Sequence, residues 1–197
     1  MTFFIATKNK GKKRELERIL MPLGIDVISE DDLENPVDEV EETGTTIEEN
    51  ALIKARAGAK TTNLPTVADD SGLCVDALGG EPGVYTARYA GIPTDNAKNN
   101  AKLLENLKGI PREKRTARFV SAVACVFPDG REFAVRGECE GIIGEKLCGT
   151  NGFGYAPLFI SELGCFGEIS DEAKDSISHR GRALKELLKK LKEEYLC

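Results

Sequence analysis

The sequence predicts an α/β fold built on a mixed β-sheet flanked by helices, within a single domain spanning residues 1–197. Three observations carry this. Apolar runs and helical periodicity alternate through the first 70 residues as strand, helix, strand, helix, strand. Two long β-patterned stretches, 117–127 and 131–143, flank Pro128-Asp129-Gly130, a strong hairpin signal. A chain of 197 residues with 41% hydrophobic and 30% charged content suits one globular domain with a substantial core.

Each element has its own signal. FFIAT (3–7) reads as a strand buried on both faces. Leu16, Ile19, Leu20 and Leu23 recur at helical spacing, which predicts a helix from about Gly11 that stops at Gly24. DVIS (26–29) is the next strand, and 31–45 is acidic and turn-rich. Thr45 or Thr46 caps a helix running to about residue 62, with Glu48 or Glu49 completing a capping box. PTVADD (65–70) is a strand that ends on two carboxylates, followed by a glycine-rich loop. Thr94 or Asp95 caps a helix whose expected apolar face is Ala97, Ala101, Leu104 and Leu107. The last helix is expected over about 177–195, with Leu184, Leu187, Leu188 and Leu191 on one stripe.

Composition excludes several classes. A net charge of −6 argues against a surface built for nucleic acid, so any bound anion must meet a local basic cluster. No segment approaches the roughly 20 apolar residues of a membrane span. The first residues place their apolar run before their basic one, the reverse of a signal peptide, so a cytoplasmic location is expected. The six cysteines form no C-x-x-C pair and there is one histidine, which disfavours a zinc site. Free buried thiols are the expected state, with a disulfide as the alternative.

Three constellations can carry chemistry. In TKNKGKK (7–13), Lys8, Lys10 and Lys12 crowd a helix amino terminus, where the dipole favours acids. A phosphate held by these lysines and the backbone N–H groups resolves the conflict, with Thr7 and Asn9 adding side-chain hydrogen bonds. The competing reading is a solvated basic turn. The second constellation is Glu41, Glu42, Asp69 and Asp70. Strand alternation sends Asp69 and Asp70 to opposite faces, so they do different jobs. A carboxylate facing the site can hold Mg²⁺ or orient and deprotonate a water; the competing reading makes all four caps and turn acids. Lys54, alone a solvated lysine, becomes a counter-charge beside a polyphosphate. The third is GTNGFGYAP (149–157) with SISHRG (176–181). Phe153 and Tyr155 either stack on a planar base or bury themselves in a core, and His179 and Arg180 suit the polar edge of a base.

Together, IATKNKGKKREL, EETG, ENALIKA, ADDSGLCVDALGGEPGVYTARYAG, NGFGYAPLF and SISHRGRAL resemble the ITP/XTP pyrophosphatases, in order from residue 5 to 184. The resemblance implies an elongated, two-lobed α/β fold with a central cleft and a homodimer. It implies Mg²⁺-dependent hydrolysis of deaminated purine nucleoside triphosphates to the monophosphate and pyrophosphate, with no nucleic-acid or membrane partner. Asp70 is then the proton acceptor and a metal ligand, and Glu41 the second ligand, with Glu42 as the alternative. Thr7, Lys8, Asn9, Lys10, Gly11 and Lys12 grip the phosphates with Lys54 and Ser71. Phe153, Gly154, Tyr155, Ala156, Lys174, His179 and Arg180 form the base pocket. Ala156 stands where the family usually carries an aspartate, which bears on base selectivity and leaves the phosphate chemistry untouched. Two other classes compete: a pyrophosphatase for other modified or standard nucleotides, and a nucleotide sensor without turnover.

Overall fold

A computed structural model describes residues 1–33, 37 and 40–195, apart from the side chains at positions 10, 11, 15 and 19. Part of the acidic segment expected over 31–45 thus lies outside the described residues, as do the side chain of Ile19, Cys197, and the phosphate-gripping parts of Lys10 and Gly11. Strands β1 (Thr2–Ile5), β2 (Asp26–Ser29), β3 (Thr66–Val75), β4 (Pro82–Gly83), β5 (Thr116–Val126), β6 (Glu132–Ile143), β7 (Phe159–Ser161) and β8 (Gly164–Cys165) form one sheet in the order β2-β1-β3-β5-β6-β7-β8, with β4 on β3. Among the described residues the α-helices are α1 (Lys10–Leu20), α2 (Ile47–Thr62), α3 (Asn96–Asn106), α4 (Asp171–Ile177) and α5 (His179–Lys190). The predicted mixed sheet is present, since β1 runs parallel to β2 and β3 while β6, β7 and β8 pair antiparallel. The chain divides into two compact units: residues 1–70, 121–137 and 182–197, and residues 71–120 and 138–181.

In the first unit Phe3, Phe4 and Ile5 are fully buried, as a strand covered on both faces requires. Phe3, Ile5 and Val67 pack with Leu16 and Leu20 of α1 and with Ala183, Leu184 and Leu187 of α5. Phe4 and Thr66, on the alternate side chains of the same strands, meet α2. Gly58 makes that approach possible: a Cβ there would lie 2.7 Å from Thr66 Cγ2 and 2.9 Å from Phe4 Cδ1. Thr46 caps α2 and Glu49 closes the capping box. Beyond Lys190 the chain makes a π-helical turn through Tyr195, whose ring stacks on Phe127 and Phe133 at 4.9 Å each. Burial pushes the Cys125 thiol up to about 12, so it behaves as a small apolar side chain.

The second unit has its own core of Leu73, Val75, Leu103, Leu107, Ile143, Leu158 and Phe159. Its α3 corrects the sequence reading in part: Leu107 is buried and Leu104 half-buried as expected, but Ala97 and Ala101 are exposed and the buried face carries Asn99, Asn100 and Leu103. The asparagines tolerate burial because their amides bind neighbouring loops. Asn99 accepts from Ala90 N at 2.7 Å and donates to Ala87 O at 2.9 Å, and Asn100 donates to Gly154 O at 3.1 Å. Arg115 is buried and spends its guanidinium on the carbonyls of Leu107, Ile110 and Gly144. Hydrophobic periodicity has no way to report such amide and guanidinium contacts.

Three further expectations change. Asp69 and Asp70 lie in the middle of β3, because the strand continues through Ser71-Gly72-Leu73-Cys74-Val75 instead of stopping at the acids. Cys148 and Cys165 form a disulfide with Cα atoms 6.4 Å apart, while Cys125 is a buried free thiol as expected. The pairing works because residues 148–151 lie against 165–167: Asn151 N donates to Gly167 O, and a Cβ on Gly149 would collide with the same oxygen. The helical region near residue 177 divides into α4 and α5 at Ser178.

Replacing Gly58 with valine is expected to cost about 2 kcal/mol or more by forcing α2 off the sheet. Urea unfolding measures it; an unchanged midpoint would show that α2 can shift without loss.

Candidate active site

The site residues fall into two groups, one in each unit. In the first, β1 pairs with β3 through Phe4–Thr66 and Ile5–Val67, and β1 then ends while β3 runs on. Asp69 and Asp70 therefore stand beyond the carboxyl end of β1, at the level of the turn that opens α1. Connections that leave the sheet on different faces make such strand ends a recurrent ligand position in α/β folds.

The turn itself is built by its own side chains. Thr7 Oγ1 accepts from Asn9 N at 3.3 Å, and Asn9 Oδ1 accepts from Lys12 N at 3.2 Å, so Asn9 caps α1. The first turn of α1 carries no acid. Part of the positive charge expected to await a phosphate is met internally, because Lys12 Nζ lies 2.9 Å from Asp69 Oδ2. The Asp69 side chain is 1% exposed, and the ion pair makes that burial tolerable.

On the next residue the partner changes. Lys54 Nζ, from α2, lies 2.9 Å from Asp70 Oδ1 and 3.1 Å from Glu42 Oε1. Alternation along β3 thus gives each aspartate its own lysine from its own helix. Glu42 is the glutamate brought to Asp70; the side chain of Glu41, expected as second ligand, is exposed. Burial works against the Lys54 ammonium, but Asp70, Glu42 and Asp69 together outweigh it and hold its pKa above the usual lysine value. For Asp70 the balance falls the other way. Burial raises its pKa, Lys54 and Lys12 pull it down, Glu42 pushes it up, and the sum lies above the ordinary value of 3.8. Lys12 thus acts on Asp70 while contacting Asp69.

The Asp70–Glu42 pair already converges on a cation, the Lys54 ammonium, and its oxygens suit Mg²⁺, which takes one or two carboxylates. Among the described residues no group of three or more His, Cys, Asp or Glu is placed to hold a metal ion. A divalent cation at Asp70 would therefore draw much of its coordination from water and phosphate oxygens.

In the second unit the aromatic turn separates its two rings. Phe153 is 61% exposed, whereas Tyr155 is buried and donates its hydroxyl to Thr86 O at 2.9 Å. Burial raises the Tyr155 pKa above the usual phenol range, so it stays a donor. Tyr155 thus takes the core alternative, while the Phe153 ring stands exposed. Gly154 takes φ +62° between them and Ala156 is buried. Lys174 Nζ lies 2.8 Å from Asp171 Oδ1. His179 stacks on Phe119 with ring centres 4.9 Å apart, and Arg180 donates to Ser71 Oγ at 3.3 Å, so these expected residues share one unit. Sequence reading missed Phe119 as the shelf beneath His179 and Asn100 as the anchor of the Gly154 carbonyl. Phe119 carries no signal beyond strand alternation, and Asn100 none beyond its place on α3.

The model of the Ham1 family matches residues 3–190. A dITP/XTP pyrophosphatase of Listeria monocytogenes is 53% identical over 191 residues, covering 96% of this chain and 94% of the relative. One from Desulforamulus reducens is 48% identical over 198 residues, covering 100% and 98%. The structure of the Staphylococcus aureus Ham1 protein superposes with a TM-score of 0.90 at 39% identity, covering 98% of this chain and 100% of that one. The Mycobacterium abscessus nucleoside-triphosphatase / dITP/XTP pyrophosphatase gives 0.81 at 47% identity, covering 95% and 97%. Matched by the family model over almost all of its length, the chain belongs to the Ham1 family.

Proposed function

We propose that this protein hydrolyses deaminated purine nucleoside triphosphates (dITP, ITP and XTP) at the bond between the α- and β-phosphates, releasing the nucleoside monophosphate and pyrophosphate. The observation that carries the reading is a pair of buried carboxylates facing lysines in the middle of β3, beyond the end of β1, in a chain 53% identical to a dITP/XTP pyrophosphatase. Lys12 and Lys54 offset the negative charge of the triphosphate, and the turn from Thr7 to Lys12 supplies N–H donors at the start of α1. Asp70 accepts the proton of the attacking water, a role its raised pKa suits. The water oxygen bonds to the α-phosphorus as the bond to the bridging oxygen breaks, and pyrophosphate leaves with that oxygen. Mg²⁺, held by Asp70 with Glu42 or Glu41, would offset phosphate charge and orient the tail.

Phe153 presents its exposed ring to the base. His179, Arg180 and Lys174 offer donors to a 6-keto group, which hypoxanthine and xanthine carry and adenine lacks. The working form is read as a homodimer acting in the cytoplasm without nucleic-acid or membrane partners; among the described residues no helix is long and apolar enough to cross a membrane.

The direct test is steady-state kinetics on dITP, XTP, GTP and ATP with Mg²⁺ and separate detection of pyrophosphate and orthophosphate. Orthophosphate as the product would exclude the reading.

Asp70→Asn is expected to lower turnover by a factor of about 10³ or more, through loss of base and ligand together. The same variant is expected to stabilise the protein without metal. Because the folded pKa of Asp70 lies above 3.8, the folded state binds this proton more tightly than the unfolded chain. Ionised Asp70 therefore weakens the fold at neutral pH, and this penalty disappears once pH falls below 3.8, where both states are protonated. The melting temperature of Asp70→Asn should exceed that of the parent at pH 7, with the gap closing on acidification. A gap of constant size would point to packing as its source.

Lys12→Ala leaves Asp69 buried without its ammonium and is expected to cost about 3 kcal/mol in denaturant unfolding. It should also raise KM for dITP about tenfold or more through the lost phosphate contact. A variant that loses stability and keeps KM would make Lys12 a structural residue.

Phe153→Ala should raise KM severalfold through lost base stacking, worth about 1–3 kcal/mol, with little change in melting temperature. Unchanged KM values for dITP and XTP would remove this ring from the base site.

A further inference from the structure

We propose that Lys54 and the divalent cation compete for the Asp70–Glu42 pair, so that metal enters by displacing the ammonium and a bound triphosphate then receives it. This deepens the proposed function and rests on its reading of Asp70 as a metal ligand. Lys54 Nζ lies 2.9 Å from Asp70 Oδ1 and 3.1 Å from Glu42 Oε1. Its side chain is 19% exposed, against 13% for Asp70 and 31% for Glu42, so water screens the trio poorly. An ammonium has three donors and no acceptor; one is spent on Asp70 Oδ1, and the charge also sits beside Glu42 Oε1, so it occupies the position between the oxygens a metal would use.

Mg²⁺ needs carboxylate oxygens at about 2.1 Å. It cannot reach both oxygens while the ammonium stays between them, since the two cations would share one small space. The flexible four-carbon stem of lysine lets the ammonium swing away, provided another anion takes its charge. The triphosphate is such an anion. Metal and nucleotide should consequently bind with positive coupling, each strengthening the other through Lys54.

The design predicts an effect of unusual sign. If Lys54 only organised the site, deleting it would loosen the carboxylates and weaken metal binding. Under competition, deleting it removes the resident rival, leaves two carboxylates facing each other, and strengthens metal binding.

The experiment is isothermal titration of Mg²⁺ alone, without nucleotide, into the parent protein and into Lys54→Met, Lys54→Gln and Lys54→Arg. Tenfold or tighter Mg²⁺ binding is expected for the methionine and glutamine variants and not for arginine, which keeps the charge. The glutamine variant serves if methionine does not fold. Equal or weaker binding by the neutral variants, or no Mg²⁺ binding by them at all, would overturn the inference. Mg²⁺-dependent dITP hydrolysis by the parent protein, run alongside, separates the two readings: its absence counts against the proposed function, and its presence with unaltered metal affinities counts against the competition alone.

Discussion

Asp69 and Asp70 are consecutive residues of an interior strand, and each is buried. A carboxylate in such a place is costly unless an opposite charge meets it. Because side chains alternate across a sheet, each carboxylate is contacted by its own lysine. The two helices that supply them, α1 for Asp69 and α2 for Asp70, must therefore dock with their lysines at one level of β3. The small residues that let α2 close on the sheet, Gly58 above all, and the asparagine cap that starts α1 follow from this requirement.

The two aspartates divide the work. Asp69 is nearly inaccessible, and its pair with Lys12 fixes the position of the basic turn. Asp70 is more open, and its charge is only partly compensated. A site that keeps one acid in deficit stores unfavourable electrostatics in the folded protein, the usual trade between stability and activity. The second unit follows the same division, since Tyr155 anchors the turn through Thr86 while Phe153 stands exposed one glycine away.

Much of this is legible in the sequence. Strand alternation in ADD is enough to say that the aspartates face different ways, and each meets a lysine from a different helix. Thr46 and Glu49 mark the start of α2 by a local rule that tertiary contacts do not override. Legibility ends where a side chain's role depends on distant backbone. Asn99 and Asn100 lie outside any apolar stripe, and nothing in the periodicity of α3 signals that their amides bind the loop carbonyls and N–H groups of Ala87, Ala90 and Gly154. β3 reads as ending at its acids because Ser71 and Gly72 have weak strand propensity, and nothing local signals that the strand resumes at Leu73 and Cys74, where it pairs with β4. Cys148 and Cys165 are 17 residues apart, and spacing says nothing about the chain reversal that joins them.

That bond has a consequence for how the protein wears. It closes a covalent ring around the turn bearing Phe153, with both cysteines in the same compact unit. A protease that nicks the backbone anywhere between the two half-cystines leaves both pieces tied together. Damage at the exposed ring would thus stay hidden on a non-reducing gel and emerge as two fragments only after a thiol is added.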